Sequence, residues 1–257
     1  MSIYNDATDM TDMASMESAI PQWLTPVAWF FVALGILSAV VVLYDIYVRR
    51  YRQSERTMEV VWPITALYLG PFALWAYYRL GRAGSPKWRQ ESGAVPEQRL
   101  SSKALTGGTP GGAAATVAHF IGVPLVIASG LTIAGTNLWV LIIFIALLAT
   151  ALLFLFERFA SPVWKSGTGS GKRAGAAFLA AAVTVLAFDI GMGGWMIFLH
   201  FGMLMPAPTD VTFIFLMQIG NILGFATAYP AVRWLIQRGI KEPAREAAVP
   251  AFTGRGN

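Results

Sequence analysis

The sequence predicts an all-α, polytopic transmembrane helical bundle, and three observations lead there. Of the 257 residues, 56% are hydrophobic and only 13% charged, against roughly 25% charged in a soluble globular domain. The mean hydropathy is +0.56. The apolar residues fall into six long runs, separated by stretches that hold nearly all the charge. A helix rising about 1.5 Å per residue needs about 20 apolar residues to cross the hydrocarbon of a bilayer, and most of the runs reach that length. Cysteine is absent, which excludes disulfides, thiolate metal centres, iron–sulfur clusters and cysteine nucleophiles. With only two histidines, a three-histidine metal site within the chain is excluded too.

Residues 1–21 carry Asp6, Asp9, Asp12 and Glu17 but no Lys or Arg. A cleaved secretion signal begins with basic residues, so this segment reads as a polar acidic tail. The bundle proper is expected over residues 22–238. Its first run, Trp23 to Val48, is interrupted only by Asp45 and stops at Arg49-Arg50-Tyr51-Arg52. The second, Met58 to Tyr78, contains Pro63 and Pro71. Proline removes a backbone donor and clashes with the preceding turn, so a kinked helix is predicted here.

Residues 79–112 end in TGGTPGG and read as a solvated cytoplasmic linker, because Gly/Ser/Pro composition does not bury a core. The third run, Ala113 to Ala134, and the fourth, Leu138 to Phe156, flank Gly135-Thr136-Asn137 and form a tight helical hairpin. A second linker follows at 157–175. Its GTGSGKR lacks the spacing of a phosphate loop, since Ser166 and Arg173 stand where Gly and Ser/Thr are needed. The fifth run spans about Ala176 to Met205 and the sixth Val211 to Ile236, the latter with Pro230 as a further kink. Residues 239–257 form a polar tail.

All 19 Lys and Arg lie in four clusters, at 49–56, 79–103, 158–173 and 233–255. Cations in short loops mark the cytoplasmic side. If all six runs span, the first cluster lies outside and the other three inside. If the proline-containing second run dips in and returns, five runs span, all 19 cations are cytoplasmic and the acidic tail is outside. The charge rule favours five, and both schemes put the linkers and the C-terminus in the cytoplasm. The expected location is the bacterial inner membrane, with lipid and other membrane subunits as partners and no nucleic acid.

An ionisable group inside a membrane is a functional-site hypothesis by default. Asp189 is the one acid near mid-membrane, with Asn221 at comparable depth on the sixth run and Gln218 one turn farther out, so an intramembrane polar cluster of these three is predicted. On a helical wheel Asp189, Met192, Met196, His200 and Met203 share an arc of about 80°. Thioether and imidazole ligands suit copper, which makes this stripe, with His119, the candidate metal set, although methionine equally fills gaps between helices. No other cofactor is predicted. His119 and His200 are expected at different depths, which disfavours a shared haem. Gly191, Gly193, Gly194, Gly220, Gly224 and Ala228 are the small residues expected to bring the fifth and sixth helices together.

Two stretches carry a resemblance. MEVVWPITALYLGPFALWAYYRLGR (Met58–Arg82), and FDIGMGGWMIFLHFGM (Phe188–Met203) followed by FLMQIGNILGFATAYPAVRWLIQRGIKEP (Phe215–Pro243), closely resemble the bacterial membrane family called domain of unknown function 4396. They cover about half the chain and share Trp62-Pro63, Gly70-Pro71, the Gly-Met-x-Gly-Trp run from Gly191 and the Gln-Ile-Gly run from Gln218. The resemblance implies a multi-helix inner-membrane protein without an established activity. It also implies a His-Cys-x-x-x-Cys-like motif where the third helix begins, and a connection to copper proteins in some members. Here TVAHFIGVPLV keeps His119 and lacks both cysteines. The expectation is therefore a non-enzymatic scaffold or accessory subunit of a larger membrane complex. The alternative is a small transporter or copper-handling protein using the Asp/Met/His stripe.

Overall fold

A computed structural model describes residues 20–93, 99–160 and 170–241. Most of the acidic tail, the middle of the second linker and most of the polar tail lie outside the described residues. Helix α1 covers Leu24–Leu43 and runs on through a π-type turn, Tyr44–Val48. Then come α2 (Met58–Leu69), α3 (Pro71–Ala76, extended by a π-type turn to Gly81) and α4 (Pro86–Ser92). The long helices α5 (Leu100–Ser129), α6 (Leu138–Ala160), α7 (Ser170–Phe201) and α8 (Val211–Gln237) complete the chain. Among the described residues five helices are long and apolar enough to cross a membrane: α1 with its extension, α5, α6, α7 and α8. The bundle is all-helical, and no strand occurs among the described residues.

The linker expected through Gly112 is overturned. Helix α5 begins at Leu100, and Gly107 to Gly112 are buried within it. Each glycine there meets a neighbour: Gly107 faces Ile236, Gly108 faces Phe225, Gly111 faces Thr184 and Gly112 faces Tyr68. In hydrocarbon the backbone must bond to itself, and glycine on a membrane helix lets a neighbour approach closely. TGGTPGG is thus a packing surface, although in water the same letters would be a flexible linker.

The second apolar run folds back on itself as a helical hairpin. Its break falls at Gly70 (φ 53, ψ −130), with Pro71 opening α3 and Pro63 accommodated inside α2. The expected interruption therefore lies between the two prolines. Pro230 likewise sits inside a continuous α8. The arms of the hairpin converge at their far ends. The Trp62 and Tyr77 ring centroids are 5.6 Å apart, Gly81 packs on the Trp62 indole, and Ser54 N donates to Gly84 O at 2.9 Å. Both ends of the hairpin therefore lie beside the C-terminal end of α1. Its tip reaches the level of Gly35, halfway along α1, where the Leu67 carbonyl closes on Gly35.

Chain direction then sets the sides. The hairpin mouth, the start of α5, the end of α6, the start of α7 and the end of α8 share one face of the bundle, and a buried Lys241–Glu157 ion pair ties two of them. Every Lys and Arg among the described residues belongs to this face. A direct check exploits the absence of cysteine. Single Arg56→Cys and Arg79→Cys variants are expected to react with a membrane-impermeant maleimide from the same side, and Thr209→Cys from the other. Labelling of the first two from opposite sides would restore a six-span topology.

Candidate functional site

At the hairpin break Pro71 has no N–H to offer the Leu67 carbonyl four residues back, which leaves that carbonyl without a partner in its own helix. Gln218 Nε2 of α8 donates to Leu67 O at 2.7 Å, and Gly35 provides the room for that contact. One turn along α8, Asn221 Nδ2 donates to Met217 O at 3.0 Å. The Thr116 hydroxyl has one hydrogen, which goes to Gly112 O at 2.8 Å. Its 3.5 Å contact with Asn221 Oδ1 is correspondingly weak.

The structure does not bring Asp189 to Gln218 and Asn221. Asp189 is half-buried on the side of α7 where Gly193, one turn on, faces Ile142 of α6. No hydrogen bond or ion pair reaches it among the described residues. The predicted cluster thus separates into a latch, Gln218 on the hairpin tip, and an isolated acid. The predicted cluster rested on depth alone, whereas the direction each side chain takes depends on how α7 and α8 face one another.

The candidate metal residues also part. Met192 and Met196 are buried in the core, the Met192 thioether lying against Gly220. His200 Nε2 meets Thr136 Oγ1 at 3.3 Å at the far end of the bundle, and Met203 is exposed. His119 donates from Nδ1 to Ala115 O at 2.8 Å. Because α5 starts early, His119 is not near the cation-rich end of its helix as expected. It lies ten residues before Ser129, about 15 Å along the axis, while His200 is at the very end of α7. Among the described residues no three His, Asp or Glu side chains group as metal ligands.

Of the small residues, Gly191, Gly220 and Gly224 form the α7–α8 seam, the most extensive helix contact in the bundle. A Cβ at Gly191 would run into the backbone of Leu223 and Gly224, whereas Gly220 and Gly224 receive the side chains of Met192, Trp195 and Phe188. Ala228 is buried on the same helix. Gly193 faces α6 instead, and Gly194 faces open space, so these two lie outside the seam predicted for them.

Sequence reasoning missed the strongest polar assembly, at the mouth of the hairpin. Asp45 is fully buried and accepts from Arg82 Nε and Nη2, both at 2.9 Å, from Tyr77 Oη at 2.9 Å and from Arg49 at 3.3 Å. The Arg82 guanidinium also stacks 3.8 Å from the Tyr51 ring centroid. Buried Glu59 takes a bidentate pair from Arg52 at 2.8 and 2.7 Å and the Gln53 N–H at 3.1 Å. The Tyr51 hydroxyl donates to Glu91 at 2.7 Å, and that bond raises its pKa. Burial pushes the Glu55 carboxyl up to about 7. The available signal was Asp45 four residues before Arg49 inside an apolar run; its partner Arg82 lies 37 residues on and no local pattern points to it.

A family model described as domain of unknown function (DUF4396) matches residues 102–241, from the first turn of α5 to just past α8. The resembling stretch from Phe188 to Lys241 lies inside that match, whereas the hairpin lies before it. No curated protein matches, and no solved structure does. With the family model covering about half the chain, from the first turn of α5 through α8, the protein belongs to the DUF4396 family.

Proposed function

We propose that the protein is a small multi-pass transporter of the bacterial cytoplasmic membrane, with its cation-rich face and C-terminus in the cytoplasm, passing a small ion or polar solute through the bundle. The reading is carried by the helix break at Gly70, held at mid-depth by Gln218. Irregular backbone at membrane depth is tolerated where protein or an aqueous cavity surrounds it, and in transporters such breaks mark the binding level. The cation distribution supports the orientation.

The test is flux through proteoliposomes across protons, sodium, potassium and small neutral solutes. Gln218→Leu, which removes the latch without adding a charge, is expected to reduce the flux severalfold while leaving the chain folded. Absence of flux for every solute, or identical flux in the variant, would remove the reading.

A second reading, an accessory subunit of a larger membrane complex, is favoured by one observation: half-buried Asp189 has no partner in its own chain among the described residues. A charge in hydrocarbon costs about 2.5–3.5 kcal/mol on insertion scales, and a polar group on a partner helix would offset that. Under this reading, purification in mild detergent yields a stoichiometric partner that Asp189→Ala loses.

A further inference from the structure

We infer that a cluster of bound water occupies the junction of α2, α5 and α8 at mid-depth, held by Thr65, Tyr68, Thr116 and Asn221. Thr65 is 0% exposed and Tyr68 4%; neither hydroxyl has a hydrogen-bond partner of good geometry among the described residues, and the nearest polar group to the Tyr68 hydroxyl is that of Thr65. They lie one turn apart on α2. If one of the two hydroxyls donates to the other, one hydrogen is still left over, and a buried hydroxyl without a partner costs about 1–3 kcal/mol.

The surroundings supply what a water needs. The Tyr68 hydroxyl lies directly against Gly112, where a Cβ would occupy its place. One turn along α5, Thr116 spends its hydrogen on Gly112 O at 2.8 Å, leaving its oxygen able to accept. Asn221, 5% exposed, has one N–H committed to Met217 O and a side-chain oxygen with only the 3.5 Å contact. A spare hydroxyl donor, a hydroxyl acceptor and an amide with spare capacity thus lie around one junction, and a buried water takes two to four such partners. Every group is neutral. That set suits water and small uncharged hydrogen-bonding solutes, whereas calcium and magnesium sites draw on carboxylates.

The station sits beside the hairpin tip: Tyr68 is two residues from Gly70, and Asn221 is one turn from Gln218. This deepens the transport reading by giving the mid-membrane level a hydrated step, and its test does not depend on flux. Radiolytic hydroxyl-radical footprinting of the full chain in lipid nanodiscs generates radicals from bound water in place. Tyr68, 4% exposed, is expected to be modified severalfold faster than Tyr77 and Phe188, which are 0% and 1% exposed. A rate as low as theirs would overturn the inference. If Tyr68 is labelled and no solute moves, the transport reading alone fails.

Discussion

Asp45→Ala is expected to destabilise the bundle by about 3–5 kcal/mol, the range for breaking a buried ion pair from one side. Three partners converge on this one carboxylate. Its loss leaves Arg82, whose side chain is only 16% exposed, without its bidentate acceptor, and leaves the Tyr77 hydroxyl with no acceptor. Tyr77 and Arg82 belong to the returning arm of the hairpin, and Asp45 belongs to α1, so the damage falls on the closure of the hairpin mouth. Asp45→Asn keeps an acceptor oxygen and is expected to cost less. The decisive measurement is a double-mutant cycle of Asp45→Ala and Arg82→Ala by thermal unfolding in detergent. The double variant should be markedly more stable than the sum of the single losses requires, since removing both partners leaves no uncompensated charge. Strict additivity would show that the pair contributes nothing to closing the mouth.

Gly191→Ala should be the most damaging single methyl that α7 can accept. The added carbon meets the backbone of Leu223 and Gly224 on α8, its distance to Gly224 N being 2.7 Å. Backbone has no rotamer by which to yield, so the two helices must separate along their most extensive contact. Overpacking of this kind costs about 1–3 kcal/mol and occasionally more. At Gly224 the obstacle is the Phe188 ring, which can shift, so Gly224→Ala is expected to be milder. Gly194→Ala is the control: nothing lies within 4 Å, and replacing a helical glycine stabilises by up to about 1 kcal/mol. Thermal unfolding of the three variants should rank them Gly194, Gly224, Gly191 in falling stability. Equal stability of Gly191→Ala and Gly194→Ala would mean that the seam is looser than the geometry requires.

The contrast among these glycines also shows where sequence reading stops. Gly191 and Gly194 are indistinguishable by type and lie three residues apart, yet one touches backbone and the other faces open space. The same limit applies to Gly107 to Gly112. A composition rule learned in water made them a linker, and only the presence of Phe225, Thr184 and Tyr68 across the gap makes them an interface. Met192 and Met196 shared a helical face with Asp189 and His200, as periodicity requires, but a common face on one helix says nothing of what lies opposite. Opposite Met192 stands Gly220, and the thioether fills the space that the missing side chain leaves.

What the sequence determined by itself is the solvent and the plan. A scarcity of charge and runs of about 20 apolar residues admit only helices in lipid, and the clustering of the cations favours five crossings with the basic loops on one side. These follow from quantities that depend on residue type and spacing alone. The tertiary structure decided the rest: that the second run turns back at Gly70, that Gln218 latches its tip, that Asp189 stands apart, and that Asp45 and Arg82, 37 residues distant in the chain, close the mouth. Each of these is a pairing between segments far apart in sequence. Its energy depends on how closely two surfaces approach and on which buried polar groups find partners, and neither is a property of one segment.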